Sequence, residues 1–157
     1  MPVIELTTYI KSEIKVVFDL ARSIDLHKIS TEHTKEEAIA GKTEGLINLN
    51  ESVTWKAKHL GITQLLTSKI TEFNPPNSFT DEMVEGAFKS FKHQHIFESK
   101  DDGVLMTDIF EFQSPMGILG QLANSIFLKR YMKDLLEKRN EVIKEFAETE
   151  KWKSVLK

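Results

Sequence analysis

Residues 90–113 read SFKHQHIFESKDDGVLMTDIFEFQ, and the alternation in this stretch decides the fold. Phe91, His93, His95 and Phe97 fall on one side of an extended chain, with Lys92, Gln94 and Glu98 on the other; Ile96 is the apolar residue that breaks the outward set. A period of two is the mark of a half-buried strand. After the turn residues Asp101-Asp102-Gly103, a second such segment begins, in which Val104, Met106, Asp108, Phe110 and Phe112 alternate with Leu105, Thr107, Ile109 and Glu111. The second segment therefore returns antiparallel to the first. A two-residue loop of Asp101-Asp102 sets His95 opposite Asp108, whereas a loop of Asp102-Gly103 sets Phe97 opposite Asp108 and makes His95 a diagonal neighbour. Either register permits a His to Asp hydrogen bond.

The same pattern extends toward the N-terminus. Val53, Trp55, Ala57 and His59 share one face, Leu60-Gly61 fits a tight hairpin, and Ile62, Gln64, Leu66, Ser68 and Ile70 form the inward set of the returning strand. That strand runs to the turn Asn74-Pro75-Pro76-Asn77, after which Phe79, Asp81 and Met83 share a face up to a bend at Gly86. Residues 34–40 are a further strand candidate, followed by turn signals at Gly41 and Gly45. At the start of the chain Ile4, Leu6, Thr8 and Ile10 alternate with Glu5, Thr7 and Tyr9. Ser12 is then placed to cap a short helix through Ile14, Val17, Phe18 and Ala21, and Ser23 a second through Ile24, Leu26 and Ile29. Ser114-Pro115 opens a long terminal helix, with Ser as cap and Pro at the first helical position. Leu119, Leu122, Ala123, Ile126, Phe127, Tyr131, Leu135, Val142 and Phe146 recur at helical spacing to about Glu150, roughly 50 Å at 1.5 Å per residue. Lys129, Lys133, Glu137, Lys138, Lys144 and Glu148 make its solvated face.

This order predicts an α+β domain spanning residues 1–157: a curved antiparallel sheet of about seven strands wrapped around a long C-terminal helix, with two short helices after the first strand. One helix cannot fill the concavity of so many strands, so a cavity is expected between them. With 157 residues, 40% of them hydrophobic and 29% charged, the composition is that of a folded globule. A formal charge of −3 and a pI near 6.0 offer no positive field for a phosphate backbone, which argues against nucleic acid as a partner. No apolar run reaches the roughly 18 residues of a membrane span. There is no cysteine, which removes disulfides, thiolate nucleophiles and Cys-based zinc sites. Glu and Lys interrupt the first fifteen residues, unlike a secretion signal, and a cytoplasmic protein is expected. Ten of the fourteen aromatic residues are Phe, and Phe79, Phe88, Phe91, Phe97, Phe110 and Phe112 fall close together. Phe has no polar handle, so such a cluster covers or lines dry space.

The strings VTWKAKHLG and GITQLLTSKITEFNPP, then SFTDEM with GAFKSFKHQHIF, then SPMGILG, resemble the START-like superfamily of SRPBCC ligand-binding domains over nearly the whole length. Within it they are most similar to the small bacterial polyketide cyclase/dehydrase-like subgroup. The resemblance implies a helix-grip fold and a hydrophobic cavity between the sheet and the C-terminal helix, and it supplies no universal catalytic residue. Members of this superfamily transport lipids, sense hormones or cyclise polyketides, so function has to be argued from the site.

Strand parity puts His59, Asp81, His93, His95 and Asp108 on the cavity face among Trp55, Phe79, Phe91, Phe97, Phe110 and Phe112, with Ile126 facing them from the helix. Buried polar groups need partners. These residues either satisfy one another beneath the helix, orient the polar end of a ligand, or act in acid/base catalysis, with Asp108 holding the tautomer of His95 or His93. His93-x-His95 with Asp108 could form a metal site, but no fourth ligand is evident and no metal is expected. No other cofactor is expected either. Gly117 and Gly120 lack a phosphate-loop context, and there is no Gly-x-Ser-x-Gly elbow. Trp55 reads as core or pocket wall; Arg130 and Tyr131 could reach the cavity mouth from the helix, but a solvated Arg and a packed Tyr are the plainer expectation.

Three functions compete. The first is binding of a hydrophobic small molecule or lipid, with the His/Asp group at its polar end. The second is a cyclase, dehydratase or isomerase that uses His95 or His93 with Asp108. The third is a protein-interaction module that uses the sheet edge or helix surface, with the tail of Lys151, Trp152, Lys153, Leu156 and Lys157 as a candidate contact. Neither the ligand nor the oligomeric state is legible in the sequence.

Overall fold

The computed structural model describes residues 2–59, 61–114 and 124–156. The expected Pro115 helix start, Leu119, Leu122 and Ala123 of the apolar stripe, Gly117 and Gly120, the Leu60 half of a turn and Lys157 of the tail lie outside these residues. Strand β1 (Val3–Ile10) is followed by helices α1 (Ile14–Ala21) and α2 (Ile24–Ser30), a 3₁₀ turn at Glu32–Thr34 and strand β2 (Glu37–Gly41). Then come β3 (Ser52–His59), β4 (Ile62–Asn74), β5 (Ser78–Glu85), β6 (Ser90–Lys100) and β7 (Gly103–Gln113). A π-helical turn at Asn124–Leu128 runs into α3 (Lys129–Glu148), and α4 (Trp152–Val155) closes the chain. The strands form one antiparallel sheet in the order β1-β7-β6-β5-β4-β3-β2. Among the described residues no helix is long and apolar enough to cross a membrane.

Several details follow from local chemistry. Ser23 caps α2 by accepting the Leu26 N–H at 3.1 Å. At α1 the cap expected from Ser12 is not made. Glu13 holds that position with no side-chain bond, and the Ser12 amide turns back to the Ile10 carbonyl instead. Within β4 the extra residue Thr71 interrupts the register against β5, and a second irregularity falls between Thr67 and Ser68. Such bulges bend a sheet, and here they lie in the strands that curve around the cavity. The β6–β7 hairpin pairs Lys100 with Gly103, so the loop is Asp101-Asp102 and His95 stands opposite Asp108. Gly103 has no alternative, because a Cβ there would lie 2.4 Å from the Ile10 carbonyl oxygen of β1. Tyr9 of β1 ties the same turn down by donating its hydroxyl to the Asp102 carboxylate at 2.6 Å.

Helix α3 packs against β1, α1 and α2. Its buried stripe is Leu136, Arg139, Asn140, Ile143 and Ala147, one residue round from the stripe expected from the sequence. Tyr131, Leu135, Val142 and Phe146 are half-buried along its flank. The core divides accordingly. Ile10, Val17, Phe18, Phe79, Phe97, Met106 and Ile143 belong to one cluster; Ile4, Phe91, Phe110, Phe112 and Leu136 form the other.

Candidate functional site

Between the sheet, α2 and α3 lies a cavity of about 330 Å³. Trp55, Phe79, Phe91 and Phe110 form its walls as parity predicts, joined by Phe88, Met132 and Leu136. His59, Asp81, His93 and His95 also line it. Four expected residues stand elsewhere. Phe97 packs edge-on against Phe18 at 5.3 Å between centroids, Phe112 is sealed beside Phe88 and Phe110, and Asp108 is fully buried behind the histidines. Ile126 is corrected outright. It is 73% exposed, because Leu128 of the π-helical turn and Met132, Leu135 and Leu136 of α3 face the cavity instead.

The polar floor is built from three strands and one helix. Although His95 faces Asp108 and His93 faces Asp81 across the ladder, the hydrogen bonds run diagonally. His93 Nε2 lies 2.7 Å from Asp108 Oδ1, and His95 Nε2 lies 2.7 Å from Asp81 Oδ1. Two residues of α3 complete the set. Asn140 Nδ2 donates to Asp108 Oδ2 at 2.8 Å, and Arg139 Nη1 to Asp108 Oδ1 at 3.3 Å and to Asn140 Oδ1 at 2.9 Å. Arg139 Nη2 reaches the Ala21 carbonyl at 3.3 Å and His95 Nδ1 at 3.2 Å. A guanidinium only donates, so Nδ1 of His95 accepts and its proton sits on Nε2, pointing at Asp81.

Burial would raise both carboxyls, but the bonded imidazoles and the Arg139 charge outweigh it and hold Asp81 and Asp108 below the usual carboxylate range. Burial, with the neighbouring His93, pushes His95 down to about 4 against the pull of Asp81. An aromatic column encloses the floor. Phe79 stacks on His95 at 4.0 Å, His95 meets His93 in a tilted contact at 3.7 Å, and Phe110 meets His93 edge-on at 5.3 Å.

Asp81, His93 and His95 offer three donor atoms within 4.8 Å of one another, the spacing of a metal site with Asp81 in the place expected for Asp108. The tautomer works against it. With Arg139 on Nδ1, the Nε2 of His95 carries a proton rather than a lone pair, and a metal there would replace that proton beside a guanidinium.

A second polar group lines the cavity. His27 meets Trp55 in a tilted ring contact at 4.3 Å and bonds Glu36 at 3.0 Å, while His59 Nδ1 meets the Tyr131 hydroxyl at 2.8 Å. Burial lowers His59 and raises Tyr131, and Glu36 opposes the first shift and adds to the second. Arg139, Asn140, His27 and Glu36 were not singled out from sequence. For the first two a signal existed: they interrupt the spacing Met132, Leu136, Ile143, Ala147 with polar residues on the apolar side.

No protein-family model and no curated protein sequence matches the chain. Solved structures do. A START superfamily protein from Mycobacterium smegmatis aligns at 9% identity and a TM-score of 0.71, covering 93% of this chain and 97% of that one. The ginseng major latex-like protein 151 from Panax ginseng aligns at 18% identity and 0.67, over 93% and 97%. The di-domain ARO/CYC StfQ from the steffimycin biosynthetic pathway aligns at 10% and 0.71, over 93% of this chain and 50% of StfQ. The chain thus has the START-like helix-grip fold, and at these identities the likeness is one of fold.

Proposed function

We propose that the cavity binds a hydrophobic small molecule or lipid and that the Asp81, His93, His95 and Asp108 group orients its polar end. The observation that carries this reading is a space of about 330 Å³ with aromatic and aliphatic walls and one polar floor. Ligand sites have this composition, mostly apolar with a few fixed polar groups. The reading includes a cytoplasmic setting, for which the Cys-free composition is the support. Native mass spectrometry of gently purified protein, together with displacement of a hydrophobic fluorescent dye, tests it. A copurified mass or saturable dye binding is expected. A protein that shows neither would overturn it.

A second reading, proton abstraction by a cyclase, dehydratase or isomerase, is favoured by the 2.7 Å bond from His93 to an Asp108 carboxylate that Asn140 and Arg139 hold in place. An ARO/CYC among the fold neighbours lends it support. In this arrangement the base is His93. Both nitrogens of His95 are engaged, one of them by a guanidinium. Positioned acid/base groups contribute roughly 10²- to 10⁴-fold, so His93→Gln should cost turnover on that scale with an enolisable carbonyl substrate. Unchanged turnover would remove the assignment. The tail loses its motive as an interaction segment, because Trp152, Val155 and Leu156 pack against the core and Lys151 and Lys153 pair with Glu145 and Glu150.

A further inference from the structure

Polar groups meet the cavity at two places, and both α3 and β4 keep those places apart. On α3 the lining residues run from Tyr131 through Met132, Leu135 and Leu136 to Arg139. The rise of a helix puts Tyr131 and Arg139 about 12 Å from each other along its axis. On β4, Gln64 stands opposite Ala57, next on its face to Ile62, the partner of His59; Ser68 stands opposite Met83, next on its face to Ile70, the partner of Asp81. Leu66 separates the two, opposite Trp55. Gln64 and Ser68 both line the cavity, and the strand rise sets them about 13 Å apart. Helix and sheet thus agree on one spacing. His59, Gln64 and Tyr131 stand at one end, and Ser68, Asp81, His95 and Arg139 at the other.

Each end keeps hydrogen-bonding atoms that the protein does not use. The two Nη atoms of Arg139 reach Asp108, Asn140, the Ala21 carbonyl and His95, but its Nε–H and the Ser68 hydroxyl make no hydrogen bond among the described residues. At the far end the Gln64 amide makes none either. The His59–Tyr131 bond leaves one donor and one acceptor in either tautomer. If the Tyr131 hydroxyl donates to Nδ1, the Nε2–H of His59 and a lone pair of the phenol oxygen remain; if Nδ1–H donates, the Tyr131 O–H and the Nε2 lone pair remain. Burial holds His59 below the ordinary histidine value, so the ring is neutral near pH 7. Glu36 adds nothing free, because its two oxygens meet His27 and Thr34. None of the unused atoms is sealed in: Thr71 Oγ1 is the one enclosed side-chain oxygen or nitrogen without a partner among the described residues.

We propose that the cavity takes a two-headed ligand, an apolar body with a hydrogen-bonding group at each end, one head against Ser68 and Arg139 and the other against His59, Gln64 and Tyr131, about 12 Å away. This rests on the ligand-binding reading above and names its ligand class. An apolar tail in place of the second head would strip water from the far end and return no hydrogen bond to it. A polar group left unmatched in this way lowers affinity by roughly ten- to hundred-fold.

The test compares decanol with its terminal diol, decanediol, and the shorter pair hexanol and hexanediol, each titrated calorimetrically into the full chain with dye displacement in parallel. Decanediol should bind at least as tightly as decanol, because its second hydroxyl exchanges water for protein partners. Hexanediol is too short to span the two ends and should bind roughly ten- to hundred-fold more weakly than hexanol. In a chain carrying His59→Leu, Gln64→Leu and Tyr131→Phe, decanediol should weaken roughly ten-fold or more while decanol changes little. Decanediol binding more weakly than decanol on the unaltered protein overturns the two-headed ligand while cavity binding stands; if no alcohol binds and no dye is displaced, both fall. Hexanediol matching hexanol overturns the spacing. An unchanged decanediol affinity in the triple variant, with a melting curve showing a folded protein, would overturn the assignment to His59, Gln64 and Tyr131. The four alcohols on the unaltered chain decide the question even if that variant fails to fold.

Discussion

Asp108 is the residue on which the floor converges. It is fully buried and takes hydrogen bonds from His93, Asn140 and Arg139. Removing it leaves a guanidinium, an imidazole N–H and an amide without their acceptor in a space that water does not replace. Asp108→Ala should therefore cost about 3–5 kcal/mol, the scale for breaking a buried ion pair from one side, as measured by urea unfolding. Acid should act on the same group of residues. His95 is held down to about 4, while in the unfolded chain it titrates near 6.5. Between those values the unfolded chain binds the extra proton, so the stability that comes from keeping His95 neutral is full above about pH 6.5 and is lost as the pH falls toward 4. The lowered carboxyls of Asp81 and Asp108 have the same sign further down: their contribution is present above roughly 3.9 and is lost as the pH falls through their folded values. Urea midpoints should be flat between about pH 6.5 and 9 and decline below about pH 6.5. His95→Gln should make the upper limb shallower, the half-buried His59 supplying what remains of it, and leave the lower one; an unaltered upper limb would contradict the buried neutral state of His95.

At the scale of elements, helix α3 separates two accounts of one amphipathic pattern. The apolar residues Tyr131, Leu135, Val142 and Phe146 suggest one face, yet the stripe that docks is Leu136, Arg139, Asn140, Ile143 and Ala147. Ile143 is fully buried and Val142 only partly so. Ile143→Ala should thus cost about 2–5 kcal/mol, the range for large-to-small core changes, and Val142→Ala clearly less. Comparable losses would restore the face read from sequence. The reason for the shift is legible afterwards. Arg139 and Asn140 look like surface residues until Asp108 supplies their partner, and that partner lies on a strand more than thirty positions earlier. Strands were easier to read. A period of two assigns each side chain to a face without reference to any other element, and Trp55, Phe79, Asp81, Phe91, His93 and His95 lie on the cavity side of their strands. Parity does not choose between direct and diagonal partners, however. The exchange by which His93 bonds Asp108 and His95 bonds Asp81 depends on the strand twist and on Arg139 occupying His95 Nδ1.

For the whole molecule, element order and turn chemistry are sufficient for the architecture, because seven antiparallel strands in one sheet leave few ways to cover their concave face with one long helix. Whether that concavity is filled could not be read the same way. Filling depends on how the volumes of side chains distant in sequence add up, and the Phe residues divide between wall and core: Phe91 and Phe110 line the cavity, while Phe97 and Phe112 are packed away from it. The two kinds of interior can be told apart by one substitution made twice. Ala57 lies on β3 facing the cavity, and Ala147 lies on α3 within the packed cluster around Val17 and Phe18. A phenyl ring added at Ala147 has no room and should cost about 1–3 kcal/mol or more through displaced neighbours. The same ring at Ala57 enters open space, where each new contact adds dispersion attraction that the empty cavity forgoes. Ala57→Phe should accordingly be as stable as the unaltered chain or more so, and it should lose hydrophobic dye binding because the ring occupies the ligand's volume. Denaturant midpoints and dye titrations on the pair decide it. Equal destabilisation at both positions would mean that the interior is packed throughout, and stable Ala57→Phe with undiminished binding would move the site elsewhere.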